Sequence, residues 1–322
     1  MCASRSGWLI EQAKEFLKSH LTHAQIVSIS GSAARGTADM YSDIDVTVYT
    51  PNIPKQADEN TTFRGTIVQV HYEQLPSRRR LYENPWDYRF LLEMRTIKDE
   101  AQKFEQLVTD VLRFFQTPTG KKAVAEEVHQ IVQDRIHAAH ERCQKAQFFS
   151  ATHAAMGAWC EAAFWRMFVA EHTSATDRLI PFMRENEQIF AEFKTCSSIN
   201  ESKRIMDFST IVRDFRAYLR KIDTQSAFDL DPLQDELVAN KNRRYIQSGD
   251  MFNLQWQMYG EALLLYFSCV NEAFETFYDK LPDDLQRGLG LIGFVPLTKQ
   301  KIERLCDLSE SMIEDGASTT FS

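Results

Sequence analysis

The chain has 322 residues, enough for two domains with separate cores. Hydrophobic residues make up 43% and charged residues 25%, a globular composition, and a formal net charge of −8 argues against nucleic acid as a broadly gripped partner. No apolar run reaches membrane-spanning length, and the cysteines at 2, 143, 160, 196, 269 and 306 form no Cys-x-x-Cys pair, which predicts free thiols in a reducing cytoplasm.

In chain order, residues 7–20 read as an amphipathic helix rather than a signal peptide, and AQIVSIS (24–30) as a strand. GSAARGTADMYSDIDV (31–46) follows, with a glycine-serine turn and an arginine shortly before two aspartates separated by one residue. On a strand, alternate side chains share a face, so Asp43 and Asp45 are expected to project together while Ile44 and Val46 enter the core. Two aligned carboxylates can hold a divalent metal that shares its shell with phosphate oxygens and water. Gly31 permits a tight turn, and Ser32 at a following helix start can hold a phosphate.

A polar loop with two prolines is expected next, then a strand, GTIVQVHYEQ, alternating Val68, Val70 and Tyr72 with Gln69, His71 and Glu73. The segment 97–115 reads as a helix, and QTPTGKK (116–122) as a linker. Beyond it, helical periodicity covers 121–147, 151–172, 201–222 and 251–279, broken at SSINES, DLDPL and LPDD. The fold class expected is α+β: a small α/β domain with a mixed sheet (1–117) followed by an all-helical domain (118–322) for acceptor binding or dimerisation.

The order Gly-Ser-x-x-Arg-Gly, a short loop, then Ser-Asp-Ile-Asp resembles the polymerase-β-like nucleotidyltransferase superfamily. A small α/β domain followed by helices is similar to its antibiotic-modifying branch, which includes kanamycin nucleotidyltransferase; past the motif only the architecture carries over. The resemblance implies metal-dependent nucleotidyl transfer to a hydroxyl of a small molecule, with pyrophosphate released. The metal is Mg²⁺ or Mn²⁺ on Asp43 and Asp45, and ATP is the family default as co-substrate. It also implies that Gly31 and Ser32 bind the nucleotide, and that Arg35 either braces the loop or reaches the triphosphate. Self-association as a homodimer fits the branch as well.

One departure concerns the third carboxylate that many members place on the neighbouring strand. Gln69 and His71 occupy the corresponding face here, so either Glu73 completes the metal site or two carboxylates hold the metal with nucleotide oxygens. Glu161, a lone carboxylate in the apolar stretch MGAWCEAAFWRMF, is the candidate general base by similarity to the branch. Trp165 is an alternative occupant of that alignment position, and an ion pair with Arg166 or another cation is the competing reading of Glu161.

Other patterns carry less. Gly288-Leu-Gly290-Leu-Ile-Gly293 has the letters of a dinucleotide fingerprint but no preceding strand, and Thr119-Gly120-Lys121 lacks the earlier glycine of a phosphate loop. His137 with His140, and Arg78-Arg79-Arg80, read as solvated surface. Arg135-x₄-His140 and Arg166-x₅-His172 match a pattern seen in toxin–antitoxin nucleotidyltransferase systems, a second reading with a protein or RNA acceptor. A non-catalytic protein with a relic site is the third.

Overall fold

The computed structural model describes residues 4–54, 58–199, 207–222 and 228–320. The chain divides into two units, one of residues 1–124 with 231–240 and one of residues 125–230 with 241–322. The return of 231–240 to the first unit has no counterpart in a boundary drawn at residue 117.

The first unit opens with α1 (Arg5–His20), whose start is capped by Ser4, its hydroxyl accepting from the Gly7 amide at 3.2 Å. Next come β1 (Ile26–Ile29), the short α2 (Gly31–Arg35) and β2 (Ile44–Tyr49). A hairpin of β3 (Asp58–Phe63) and β4 (Thr66–Glu73) follows, then α3 (Arg80–Glu83), a 3-10 helix (Pro85–Glu93), β5 (Arg95–Asp99) and α4 (Lys103–Gln116). The sheet order is β3-β4-β2-β1-β5. β2 and β4 run parallel and the other neighbours antiparallel, which makes the sheet mixed.

Alternation along the strands sorts the two faces. Val27, Ile29, Ile44, Val46, Val48, Val68 and Val70 form one core with Leu9, Ala13 and Phe16 of α1. Ile26 and Tyr49 point to the opposite face and pack with Tyr88, Leu91 and Phe104, the last stacked on Tyr49 at 5.0 Å. Asp45, in step with Tyr49 along β2, belongs to this second face.

Three sequence expectations change. The polar loop holds β3, whose residues DENTTF carry no apolar alternation because it is an edge strand exposed to water. Arg64 and Gly65, both at positive φ, close the hairpin as a two-residue turn. The helix expected over 97–115 begins only at Lys103, because Ile97 lies in the other edge strand, β5. Asp99 then ends β5, and its carboxylate accepts from the amides of Lys103, Phe104 and Glu105 at 2.7–3.0 Å, fixing the helix start. The linker expected at 116–122 is a helix junction, since Thr117 alone separates α4 from α5 (Pro118–Gln144). Its hydroxyl accepts from the Gly120 amide at 2.9 Å, with Pro118 at the first helical position.

The helical stretches then run as α6 (Phe148–Glu171), α7 (Thr176–Arg184), α8 (Glu187–Cys196), α9 (Ser209–Ile222), α10 (Pro232–Ser248), α11 (Met251–Cys269), α12 (Phe274–Asp279), α13 (Asp283–Leu291) and α14 (Lys299–Thr320). Residues 200–206, the start of the helix expected over 201–222, lie outside the described residues. The helix expected over 251–279 is broken between Cys269 and Phe274. The glycines 288 and 290 lie inside α13, with no strand before them. No helix among the described residues is long and apolar enough to cross a membrane.

Within the second unit, α6 is buried on nearly all sides, and its alanines let α14 approach closely. Trp159 stacks on Phe193 at 3.5 Å. His153 is enclosed by Phe149, Phe274, Phe294 and Tyr259, with Nδ1 2.7 Å from the Tyr259 hydroxyl and Nε2 without a hydrogen-bond partner among the described residues. Burial pushes its imidazole down from 6.5 to about 3. The unfolded chain therefore binds this proton below pH 6.5 while the folded chain does not. Stability is lost as pH falls from 6.5 towards 3, by up to about 1.4 kcal/mol per pH unit. Urea melts at pH 7 and pH 5 should show a larger acid loss in the native chain than in His153→Gln; equal losses would remove His153 as the cause.

Candidate active site

The site is built where β1 ends and β2 begins. Ser30 donates its backbone amide to the Asp45 carbonyl at 3.0 Å, and the chain turns at Gly31, whose φ is +66°. A Cβ on Gly31 would overlap Asp45 Oδ2, so glycine is required both by the left-handed backbone and by the carboxylate that lies over it.

Asp43 immediately precedes β2 and Asp45 is its second residue; both are half-buried, while Ile44 and Val46 between and beyond them are buried in the core. The loop between α2 and β2 is held by its own polar groups. Ser32 donates to the Ser42 hydroxyl at 3.0 Å, and Ser42 in turn donates to Asp39 Oδ1 at 3.2 Å and accepts from the Asp39 amide at 3.0 Å. From the start of α1, Ser6 accepts from the Ala38 amide and Arg5 donates to the Asp39 carbonyl. Ser32 is thereby fixed in orientation by a buried serine next to the first aspartate.

Parallel pairing aligns Asp45 with Gln69. With the Gln69 amide oriented so that donors face acceptors, its nitrogen donates to Asp43 Oδ2 at 3.1 Å and to Asp45 Oδ1 at 3.3 Å. Its oxygen accepts from Gln234 Nε2 at 2.8 Å. Gln234 lies on the first part of α10, in the segment that returns to the first unit, and its Nε2 is 3.2 Å from the side-chain amide of Asn60. Asn60 is the register partner of Gln69 on β3.

Arg35 is within 3.4 Å of Glu93, in an ion pair that ties α2 to the end of the 3-10 helix. Glu73 pairs in register with Tyr49, four residues beyond the Asp45–Gln69 level. At about 3.3 Å per residue it is too far along the strand to join the aspartates. Its carboxyl is pushed up by burial, with Asp58 adding to the rise and His71 opposing it. Among the described residues, no three His, Cys, Asp or Glu side chains converge. The arrangement therefore brings Asp43, Asp45, Gly31 and Ser32 together and leaves Glu73 out as third ligand.

Residues 10–138 match the nucleotidyltransferase domain family. No curated protein matches the chain. The match spans all five strands of the mixed sheet, so the α+β nucleotidyltransferase domain supports nucleotidyl transfer from a nucleoside triphosphate, and the helical part follows it.

In the second unit, Glu161 pairs with Arg135 of α5 at 3.3 Å. The guanidinium lies over Gly157, one turn earlier on α6, in space that a Cβ would fill. The cation is Arg135 rather than Arg166, which donates to the Met312 carbonyl at 3.4 Å. Both arginines of the Arg-x-His patterns thus have structural partners. The sequence reading missed Ser42, although it stands directly before Asp43 in the motif. It also missed Asn60, Glu93 and Gln234, for which no local spacing gives a signal.

Replacing Gly31 with alanine should displace Asp45. A loss of roughly 10²-fold in turnover is expected from a shift of about an ångström, with the far-UV circular dichroism spectrum unchanged. Full turnover by Gly31→Ala would show that the close approach does not matter.

Proposed function

We propose that the chain is a metal-dependent nucleotidyltransferase that moves AMP from ATP to a hydroxyl of a small molecule and releases pyrophosphate. The observation that carries this reading is the pair Asp43 and Asp45, side by side on one face next to the Gly31 turn and Ser32. The donor set fits a hard divalent cation such as Mg²⁺: two carboxylates side by side with, among the described residues, no thiol beside them, the rest of the shell falling to phosphate oxygens and water. A cation held there supplies neutralisation of charge developing on the departing pyrophosphate.

The chain's own groups do the positioning. Asp43 and Asp45 set where the triphosphate oxygens lie, and Ser32 turns the O–H that it donates to Ser42 in the free site towards a β- or γ-phosphate oxygen. Arg35, held by Glu93, braces the turn that carries Ser32. The acceptor hydroxyl attacks the α-phosphorus as the bond to pyrophosphate breaks in line. Its proton passes to a base, and the resemblance to the antibiotic-modifying branch assigns that role to Glu161. A cationic hydroxylated antibiotic is the first acceptor class to try, since the net charge of −8 favours a positive ligand.

Pyrophosphate release should be measured with Mg²⁺, each of the four nucleoside triphosphates and a panel of hydroxylated antibiotics and metabolites. Asp45→Asn is expected to lower turnover by at least about 10²–10³-fold with an unchanged melting temperature. Undiminished turnover in that variant would refute the metal assignment. For Glu161→Gln, a fall of about 10²–10⁴-fold in kcat at constant KM identifies the base. A fall in melting temperature alone would assign the carboxylate to its pairing with Arg135.

A further inference from the structure

The first turn of α1 carries two residues that a helix start does not favour. Arg5, the first helical residue, puts a cation at the positive end of the helix, and no acidic residue stands in that turn. Ser6, 4% exposed, lies on the buried side of the same turn, where alanine would serve the helix better. Both side chains reach for the same place. Ser6 accepts from the Ala38 amide at 3.0 Å, across 32 residues, and Arg5 donates to the Asp39 carbonyl at 3.3 Å, across 34. The guanidinium is also seated 4.1 Å from the centre of the Trp8 ring, one turn further on, which fixes its direction. Two neighbouring residues that break the local rule for a helix start, and both hold one loop, point to a role in placing that loop.

Ala38 and Asp39 belong to the segment 36–43 between α2 and β2, whose Gly36, Thr37 and Met40 are exposed. From Asp39 the hold passes inward. Its carboxylate accepts from the Tyr41 amide at 2.9 Å and from the Ser42 hydroxyl at 3.2 Å, and its own amide donates to the Ser42 oxygen at 3.0 Å. Asp39 therefore keeps Ser42, 5% exposed, in place even when Ser32 gives its O–H to a phosphate, and Asp43 follows Ser42 directly. We infer that Arg5 and Ser6 are positioning residues for nucleotidyl transfer: the first turn of α1 clamps the segment 36–43, so that Ser42 and Asp43 keep their places beside Ser32 and Asp45. This rests on the nucleotidyl-transfer reading and gives the site a support that lies before residues 10–138, the part matched to the family.

The test joins two measurements on the full-length native chain and on Ser6→Ala, Arg5→Met and Arg5→Lys. Amide hydrogen exchange over residues 37–42 should quicken by roughly 3- to 10-fold in Ser6→Ala and Arg5→Met, the loss of one hydrogen bond, with β1 and β2 unchanged. In the same two variants, pyrophosphate release with Mg²⁺, the nucleoside triphosphates and the acceptor panel should fall by roughly 10- to 100-fold in kcat, at nearly constant KM for the acceptor. Arg5→Lys, which keeps a charged donor, should recover part of that turnover. Arg5→Met carries the test should Ser6→Ala fail to fold. Native kcat in both variants would overturn the inference, and so would unchanged exchange over 37–42. A lowered melting temperature with equal losses in Arg5→Lys and Arg5→Met would reduce the pair to stabilisers of the fold and also overturn it. Absence of pyrophosphate release by the native chain with every nucleotide and acceptor would instead strike the nucleotidyl-transfer reading, while quickened exchange in the variants would still uphold the clamp.

Discussion

Two negative charges must be kept side by side on one strand end, and much of the first unit is arranged around that requirement. Carboxylates at alternate strand positions face the same way by backbone geometry and repel each other by Coulomb's law. Three features offset the repulsion. The buried Ile44 and Val46 fix the strand's rotation, the Gln69 amide bridges Asp43 and Asp45, and Gly31 leaves room for the Asp45 carboxylate against the preceding turn. The serine and aspartate network of Ser32, Ser42 and Asp39 then holds the loop from which the pair emerges.

These features belong to different parts of the chain and act on the same few atoms. The parallel register of β2 with β4 delivers Gln69 to the level of Asp45, and the β3 hairpin delivers Asn60 to the far side of Gln69. Gln234 comes from the opening of α10, which the chain reaches only after a long helical excursion. The nucleotidyltransferase domain in the sense of the family match ends at residue 138, so Gln234 lies outside the matched residues and yet bonds to the neighbour of the aspartates.

Where local pattern and structure part, solvent exposure or a side-chain cap is the reason. The strands β3 and β5 sit at the two edges of the sheet, where polar residues are tolerated and guard against further pairing, so neither shows the apolar alternation that marks β2 and β4. The residues from 97 onward have helical spacing, but Asp99 takes the first amides of α4 and so sets the helix start after itself. Glu161 is surrounded by apolar letters in sequence, and the cation beside it comes from a different helix. Glu73 falls on the expected face but on the wrong level, a distinction that only register makes.

By itself the sequence determined the strand that bears Asp45 and starts directly after Asp43, the turn at Gly31, the α/β region followed by helices, and the absence of a carboxylate at position 69. All of these follow from nearest-neighbour sterics and from the periods of strand and helix, which are written in adjacent letters. The tertiary structure decided what those residues meet: Gln69 against both aspartates, Gln234 against Gln69, Glu93 against Arg35, and Arg135 against Glu161. Such partners are chosen by packing and hydrogen-bond satisfaction between distant segments, and no spacing along the chain encodes that choice.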